Sequence, residues 1–247
     1  MLCSVLAAVV AAAPGRAQQP AAPPNFEAAS IRPNTSGDTA RAFRVEPGGN
    51  VRAINVTVRH LMWNAYGVND FEIIGGPSWA GTDRYDIVAR TAGNPRPEEL
   101  RPMLRALLSE RFKLKVQQTT RELPIYALVM SRADNRPGPK LRPAEGPCAT
   151  GVGPGCGAAV GAGTLRSRGL TMARLAGELA GQVGRRVRDE TGLAGAFDLE
   201  LEWAPEFQAD GASLFTALQE QLGLKLEPRV GPVDVLVIES VERPIDN

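Results

Sequence analysis

The sequence predicts an α+β fold in which one strand-helix-strand-helix-hairpin unit occurs twice. The first observation is an internal repeat, because residues 49–58 align with 163–172 and residues 103–116 align, in the same order, with 213–226. The second is periodicity: in each copy a short alternating run gives way to apolar residues at helical spacing. Neither an all-helical nor a parallel α/β pattern fits this order of elements. We therefore expect an internal duplication that forms two small mixed sheets, each covered by helices.

The N-terminus has the features of an export signal. Residues 2–13 form an apolar run too short to span a bilayer as a helix, and residues 15–17 have the small-x-small form of a signal-peptidase site. We predict a signal peptide over residues 1–17, followed by a proline-rich tether over residues 18–24. An uncleaved apolar N-terminus is the alternative, since no basic residue precedes the apolar run.

The first repeat is predicted over residues 25–131. Thr57 caps a helix with apolar residues at i, i+3, i+4 and i+7, Gly67 ends that helix, and Pro97 opens a second one. Alternating runs bounded by proline and glycine predict strands. These strands are placed at 26–32, 43–46, 50–54, 71–74 and 85–89, with a closing hairpin formed by 112–119 and 125–130.

The second repeat is predicted over residues 164–247. It is separated from the first by residues 132–163, which are rich in glycine and proline and are typical of a surface linker. The predicted elements of the second copy are a strand at 164–168, a helix at 171–183, a strand at 197–203, a helix at 213–222 and strands at 224–227 and 233–241.

Two cysteines lie in this linker. Cys148 and Cys156 form an even pair once Cys3 leaves with the signal peptide, and an exported chain enters an oxidising compartment. A structural disulfide is therefore favoured over zinc, because no third or fourth soft ligand accompanies the pair. We expect no bound metal and no cofactor.

The net charge gives no reason to expect a strongly charged partner. The chain has 28 basic and 27 acidic residues, for a net charge of +1. This balance argues against nucleic acid as a partner. We expect an exported protein, periplasmic or extracellular, whose mature chain has no membrane span and whose partner is an envelope protein or polymer.

Residues suited to catalysis are few. The chain has one histidine, His60, and no G-x-S-x-G nucleophile elbow. Asp198, Glu200 and Glu202 alternate along a predicted strand, which is typical of a solvated sheet face, with a calcium site or carboxylate pair as the alternative. Asp86 is equivalent to Asp198 in the repeat, and a catalytic pair seldom arises by duplication of one residue. We predict no catalytic residue.

The most distinctive candidate for binding is the loop at residues 75–79, with the sequence Gly-Gly-Pro-Ser-Trp. Loops that carry an exposed aromatic residue often bind a partner, because aromatic rings supply contact area at little entropic cost. Trp79, Asp83, Arg84 and Asp86 are therefore the candidate ligand-binding residues. The alternative is that Trp79 folds back onto the sheet as a lid over the core.

A resemblance to a known family rests on seven segments, at residues 26–33, 75–79, 83–88, 107–114, 122–128, 189–193 and 213–224. Together they resemble the "soil-associated proteins", an exported bacterial family with a domain of unknown function. A similar domain is attached to membrane-bound sensor peptidases of the antibiotic-receptor type, which implies sensing or binding in the envelope. Each repeat is also similar to the short N-terminal domain of secretins and TonB-dependent receptors, a β-α-β unit used for protein contacts.

Two functional hypotheses follow. The first is a non-catalytic, exported module that binds a protein or polymer partner. The second is a hydrolase of envelope or environmental polymer that uses carboxylates such as Asp83, Asp86 and Asp198 as acid and base. The first is favoured, since Asp86 and Asp198 are equivalent in the repeat and a catalytic pair seldom arises by duplication of one strand residue.

Overall fold

The computed structural model describes residues 25–245, except residues 92, 94, 152 and 206–210. The predicted signal peptide (1–17) and tether (18–24) lie outside the described residues. Within this part of the chain there are three four-stranded sheets, and no helix is long and apolar enough to cross a membrane. The fold is therefore mixed α+β.

The first half of the chain ends in a very long strand. Its elements are β1 (Ala28–Pro33), β2 (Ala42–Val45), β3 (Val51–Val56), α1 (Val58–Tyr66), β4 (Ile73–Gly75), α2 (Trp79–Thr82), β5 (Tyr85–Arg90), α3 (Pro97–Arg111) and β6 (Lys115–Met130).

The second half ends in a strand of similar length. Its elements are β7 (Leu141–Pro143), β8 (Gly157–Gly161), β9 (Thr164–Thr171), α4 (Met172–Val183), β10 (Val187–Asp189), β11 (Ala196–Glu202), α5 (Leu214–Ala217), a π-helical continuation (Leu218–Leu222) and β12 (Leu224–Ser240). Apart from α2, the two halves present strands and helices in the same order.

The strands form three sheets that differ in the direction of their pairing. The first sheet, β1-β5-β3-β2, and the third, β7-β11-β9-β8, are antiparallel throughout. The second sheet, β10-β6-β12-β4, is mixed, since the antiparallel pair β6-β12 has a parallel neighbour on each side. The first sheet packs with α1 and α3 around one apolar core, and the third packs with α4 and α5 around another.

The predicted count of two sheets is wrong, and so is the predicted hairpin of segments 112–119 and 125–130. Most of both segments belongs to the single 16-residue strand β6, which pairs with β12 from Lys115↔Ser240 to Met130↔Leu224. Each long strand serves both cores, because Val116 of β6 packs against the first core and Leu128 belongs to the second. The two halves therefore share a sheet instead of closing separate hairpins.

The predicted linker also contributes to a sheet. Residues 141–143 and 157–161, within segment 132–163, form the edge strands β7 and β8 of the third sheet. Small residues dominate β8, so the segment lacks the alternation of large apolar residues that signals a strand.

Local signals place α1 correctly. The Thr57 hydroxyl accepts a hydrogen bond from the His60 amide at 3.1 Å, and Gly67 ends the helix with φ 70°. The four apolar residues of the predicted stripe, Val58, Leu61, Met62 and Ala65, are buried. Helix α4 begins in the same way, with the Thr171 hydroxyl accepting from the Arg174 amide at 3.3 Å.

The Sγ atoms of Cys148 and Cys156 lie at bonding distance, 2.04 Å. Cys148 is buried in the turn Gly146–Cys148, and Cys156 directly precedes β8. The link therefore holds the start of an edge strand against the body of the second half.

The disulfide closes a short loop, with a sequence separation of 8 residues. We expect the Cys148→Ala/Cys156→Ser variant to lose about 2–3 kcal/mol of unfolding free energy, because the open loop gives the unfolded chain more conformational entropy. Urea unfolding of oxidised and reduced wild type beside the variant measures the loss. Equal stability of oxidised wild type and variant would show that the link contributes nothing to folding.

Candidate functional site

Three of the predicted binding residues meet at one corner of the first half, formed by Trp79, Asp83, Arg84 and Arg243, which we call the Trp79 corner. The Arg243 guanidinium lies 4.8 Å from the centre of the Trp79 ring, and its Nε donates to Asp83 Oδ2 at 2.9 Å. Arg84 donates to the backbone carbonyl of Asn55 at 3.3 Å. Trp79 is half-buried and packs against the first core. It thus covers the core and supports Arg243 at the same time.

A shallow cavity of about 550 Å³ opens beside this corner. Its lining includes Asn34, Asp83, Arg84 and Arg243. Asp83 and Arg243 neutralise each other there, so the charges of the corner are largely satisfied within the molecule.

Asp86, the fourth predicted residue, supports the backbone. Its Oδ1 accepts from Asn34 Nδ2 at 2.8 Å and from the backbone N–H of Asn55 at 2.9 Å. In the third sheet, Asp198 Oδ1 accepts from the backbone N–H of Gly169 at 2.8 Å. Asn55 and Gly169 both have left-handed backbone, with φ of 57° and 66°. Each aspartate therefore stabilises an irregular residue that lies just before a helix.

The carboxylates of the hydrolase hypothesis are distributed over different places. Asp83 lies in the Trp79 corner, Asp86 is in the first sheet and Asp198 is in the third. Each accepts a hydrogen bond from elsewhere in the chain. Among the described residues there is also no group of three histidine, cysteine or acidic residues arranged to hold a metal ion.

Sequence reasoning missed a set of arginines on the outer side of the first sheet. Burial alternates along β3, where Val51 and Ala53 face the core and Arg52 faces outward. The neighbouring strands alternate in register with β3 and place further arginines on the same side. We call this set the basic face: it consists of the exposed residues Arg32, Arg44, Arg52 and Arg90.

The arginines of the basic face form no ion pair with described residues, although one carboxylate, Asp86, lies on the same side of the sheet. Arg44 lies directly opposite Arg52, and on the other side of β3 Arg52 lies opposite Val88. Asp86 lies opposite Arg32 and keeps its negative charge there, while its Oδ1 accepts hydrogen bonds from the neutral amides of Asn34 and Asn55. None of the four arginines forms an ion pair with any other residue that the structure describes. Like charges placed directly opposite one another destabilise a sheet.

The third sheet provides a direct comparison. Arg166 of β9 lies opposite Glu200 of β11, as Arg52 lies opposite Val88. Arg166 Nε is 2.7 Å from Glu200 and its Nη2 is 3.1 Å from Glu202, while Lys140 lies 3.7 Å from Glu202. We call the surface formed by Arg166, Glu200 and Glu202 the matched face. The charges of these three residues are paired, although Arg142 and Arg168 on the same side of the third sheet form no ion pair with described residues. In the basic face, Val88 and Arg90 occupy the positions of Glu200 and Glu202, so Arg52 has no such partner.

The positive field extends toward α1. His60 is partly buried, and its Nδ1 has no hydrogen-bond partner among the described residues. Burial lowers the pKa of His60, and the nearby charges of Arg41 and Arg84 lower it further. His60 therefore stays neutral at a pH where an exposed histidine would be partly protonated, mainly because it is partly buried.

A second cavity, of about 440 Å³, lies where the halves meet. Glu72 is buried there and is 3.3 Å from Arg186, while the Arg105 guanidinium lies over the Tyr66 ring at 4.9 Å. Asp234, which also lines the cavity, accepts from Thr120 at 2.6 Å. The Glu72–Arg186 and Thr120–Asp234 contacts join elements of the two halves, which indicates a structural role.

We expect Arg44→Glu to raise the melting temperature by about 1–3 °C, because an attractive pair with Arg52 replaces a repulsive one. The matched control, Arg166→Glu, should lower it by removing two ion pairs. Thermal unfolding monitored by circular dichroism at low ionic strength measures both changes. A destabilised Arg44→Glu variant would show that Arg44 is compensated within the fold.

The lowered pKa of His60 predicts a pH dependence of stability. Because the unfolded chain binds the proton more tightly, stability should fall as the pH drops from about 7 to about 5. The chain has one histidine, so His60→Gln should remove most of this slope. Urea unfolding of both proteins across this range tests the expectation. Parallel slopes would mean that His60 has an ordinary pKa in the folded state.

A comparison with protein families identifies one match. A family model described as a protein of unknown function (DUF3738) matches residues 59–241. The matched range runs from α1 to the end of β12 and so includes both long strands. No curated protein and no solved structure matches the chain. Because the model covers most of the chain, the protein belongs to the DUF3738 family of proteins of unknown function.

Proposed function

We propose that this protein is an exported, non-catalytic binding module that contacts a partner in the cell envelope or outside the cell through the basic face. One observation carries the proposal: the basic face exposes four arginines that form no ion pair with described residues, two of them directly opposite each other, whereas Arg166, which corresponds to Arg52, is paired with Glu200 and Glu202. A binding partner that supplies the negative charge explains the difference. The predicted residues of the Trp79 corner lie beside this surface.

The difference in charge between the basic face and the matched face is informative, because like charges without ion pairs on one face destabilise the folded protein. Natural proteins violate local rules of charge and packing mainly at functional sites, where binding compensates the lost stability. Arg44 and Arg52 violate such a rule, since they face each other across two neighbouring strands. Arginine is also enriched in protein interfaces, because its planar guanidinium donates several hydrogen bonds to carboxylates.

Export is part of the same proposal. The apolar run and the small-x-small site at residues 15–17 support a cleaved signal peptide. The Cys148–Cys156 link supports an oxidising destination. The resemblance to exported soil-associated proteins and to envelope contact domains points to the same compartment.

We also propose that the two halves are copies of one unit. The strand orders β1-β5-β3-β2 and β7-β11-β9-β8 place corresponding elements at corresponding positions. The bonds from Asp86 to Asn55 and from Asp198 to Gly169 support the alignment at the level of single atoms. On this proposal the basic face and the matched face descend from one surface, and they differ in that Val88 and Arg90 replace the acidic residues Glu200 and Glu202.

The hydrolase remains the second candidate, and it has less support. Asp83, Asp86 and Asp198 are engaged in contacts that stabilise the fold. Asp83 and Asp86 lie in the first half of the chain, whereas Asp198 lies in the second half. The binding hypothesis instead relies on the arginines of the basic face, which form no ion pair with described residues.

The experiment is a binding assay with the secreted, mature chain. We expect saturable retention of the chain by isolated cell envelope, loss of at least about tenfold in affinity for Arg44→Glu/Arg52→Glu, and a decrease in retention with salt. Arg166→Glu, a charge reversal on the matched face, is the control, and we expect the envelope to retain this variant as well as the wild type. Release of soluble fragments or reducing ends from the envelope would instead establish the hydrolase, and retention that is insensitive to the double substitution would exclude the basic face.

A further inference from the structure

We propose that the basic face receives an acidic segment of another protein, in preference to a polysaccharide, a nucleic acid or a lipid surface. The inference rests on the proposed function and specifies its partner. It follows from the combination of charged and aliphatic side chains on one open side of the first sheet.

The charge of the face selects an anionic partner. Arg44, Arg52 and Arg90 lie on three neighbouring strands, and Arg32 lies on the fourth. Adjacent strands are roughly 5 Å apart, so the four arginines are distributed across the width of the sheet. Arginines spread over an exposed sheet suit an extended partner that presents several carboxylates, since each guanidinium can donate to one of them.

The aliphatic residues select a protein. Val88 is 45% exposed and Ile54 is 37% exposed, and both are on the same side of the sheet as Arg52. Val88 of β5 lies directly opposite Arg52, and Ile54 is two residues after Arg52 on β3. Burial of these side chains contributes to binding only when the partner also presents apolar groups.

The matched face lacks this combination. In β11, Glu200 lies opposite Arg166, at the position where β5 has Val88 opposite Arg52. In β9, Arg168 occupies the position that corresponds to Ile54, two residues beyond Arg166. The differences between the faces therefore involve charge and exposed aliphatic surface together, which is the composition of a protein interface and not of a surface selected for charge alone.

Other anionic partners use different chemistry. Single-stranded nucleic acid and sugars are commonly recognised by aromatic stacking. The outer side of the first sheet carries arginine and aliphatic side chains together with Ser30 and Asp86, and the described residues of its strands place no aromatic ring there. A membrane surface is bound by apolar side chains that penetrate beyond the charges. Val88 and Ile54 are short and lie between arginines, so they suit lateral contacts with side chains.

The test uses the full mature chain and four immobilised probes: a glutamate-rich random copolymer with leucine, polygalacturonate, a DNA duplex and phosphatidylglycerol vesicles. The loss variant Val88→Glu/Arg90→Glu gives β5 the two glutamates that β11 has at the corresponding positions, Glu200 and Glu202. The gain variant Glu200→Val/Glu202→Arg transfers the basic pattern to the matched face. Gln117→Glu/Arg121→Glu, on exposed residues of β6, makes the same change in net charge as the loss variant. Circular dichroism establishes that each variant is folded.

We expect the wild type to bind the copolymer more tightly than poly-L-glutamate of equal charge, because leucine contacts Val88 and Ile54. The loss variant should bind the copolymer at least about tenfold more weakly, the control variant within about twofold of wild type, and the gain variant more tightly than wild type. The same order of affinities should persist at physiological salt, where long-range attraction is screened.

Two results would overturn the inference in different ways. If polygalacturonate, DNA or the vesicles bind more tightly than the copolymer and the loss variant abolishes that binding, the basic face is a binding site but its partner is not a protein. If no probe distinguishes the wild type from the loss variant, the basic face is not a binding site, and the proposed function fails with the inference.

Discussion

The antiparallel pairing of β6 with β12 determines the architecture of the molecule. The ladder extends from Lys115↔Ser240 to Met130↔Leu224, and each strand reaches from one apolar core to the other. Its centre carries a small apolar cluster of its own, formed by Ile125, Val233 and Val235. Neither core is complete without the strand that the other half supplies. The first and third sheets are consequently held on opposite halves of one body, each with an outer side that faces solvent.

Within this frame the two outer sheets differ in charge, although both have a hydrogen bond from a left-handed residue to an aspartate. The aspartates at Asp86 and Asp198 hold left-handed residues in both halves, so the geometry of the strand-to-helix connection is common. Other charged residues on the outer sides, Arg52 and Arg90 in the first sheet and Arg166, Glu200 and Glu202 in the third, differ between the two sheets. Paired charges stabilise the matched face, whereas the basic face gives up that stabilisation. The two halves therefore have similar backbone contacts, but only the first half carries the basic face.

Sequence reasoning predicted the elements that depend on local signals. The cap at Thr57, the stop at Gly67 and the apolar stripe between them define α1 because helices are specified by residues close in sequence. The sheet count failed because the β6-β12 pairing joins residues that are far apart, and periodicity within a strand does not identify its partner. The basic face was missed for a similar reason: Arg44 and Arg52 each look like an ordinary solvated residue, and only the register shows that they are opposite each other.

The central claim is that binding is confined to one face, and arginine footprinting tests it most directly. Exposed arginines of the mature chain are modified with phenylglyoxal, with and without a saturating acidic copolymer, and the modified residues are located by mass spectrometry. The account predicts that Arg44 and Arg52 become protected while Arg166 keeps its reactivity. Equal protection of Arg166, or unchanged reactivity of Arg44 and Arg52 in the bound state, would contradict it.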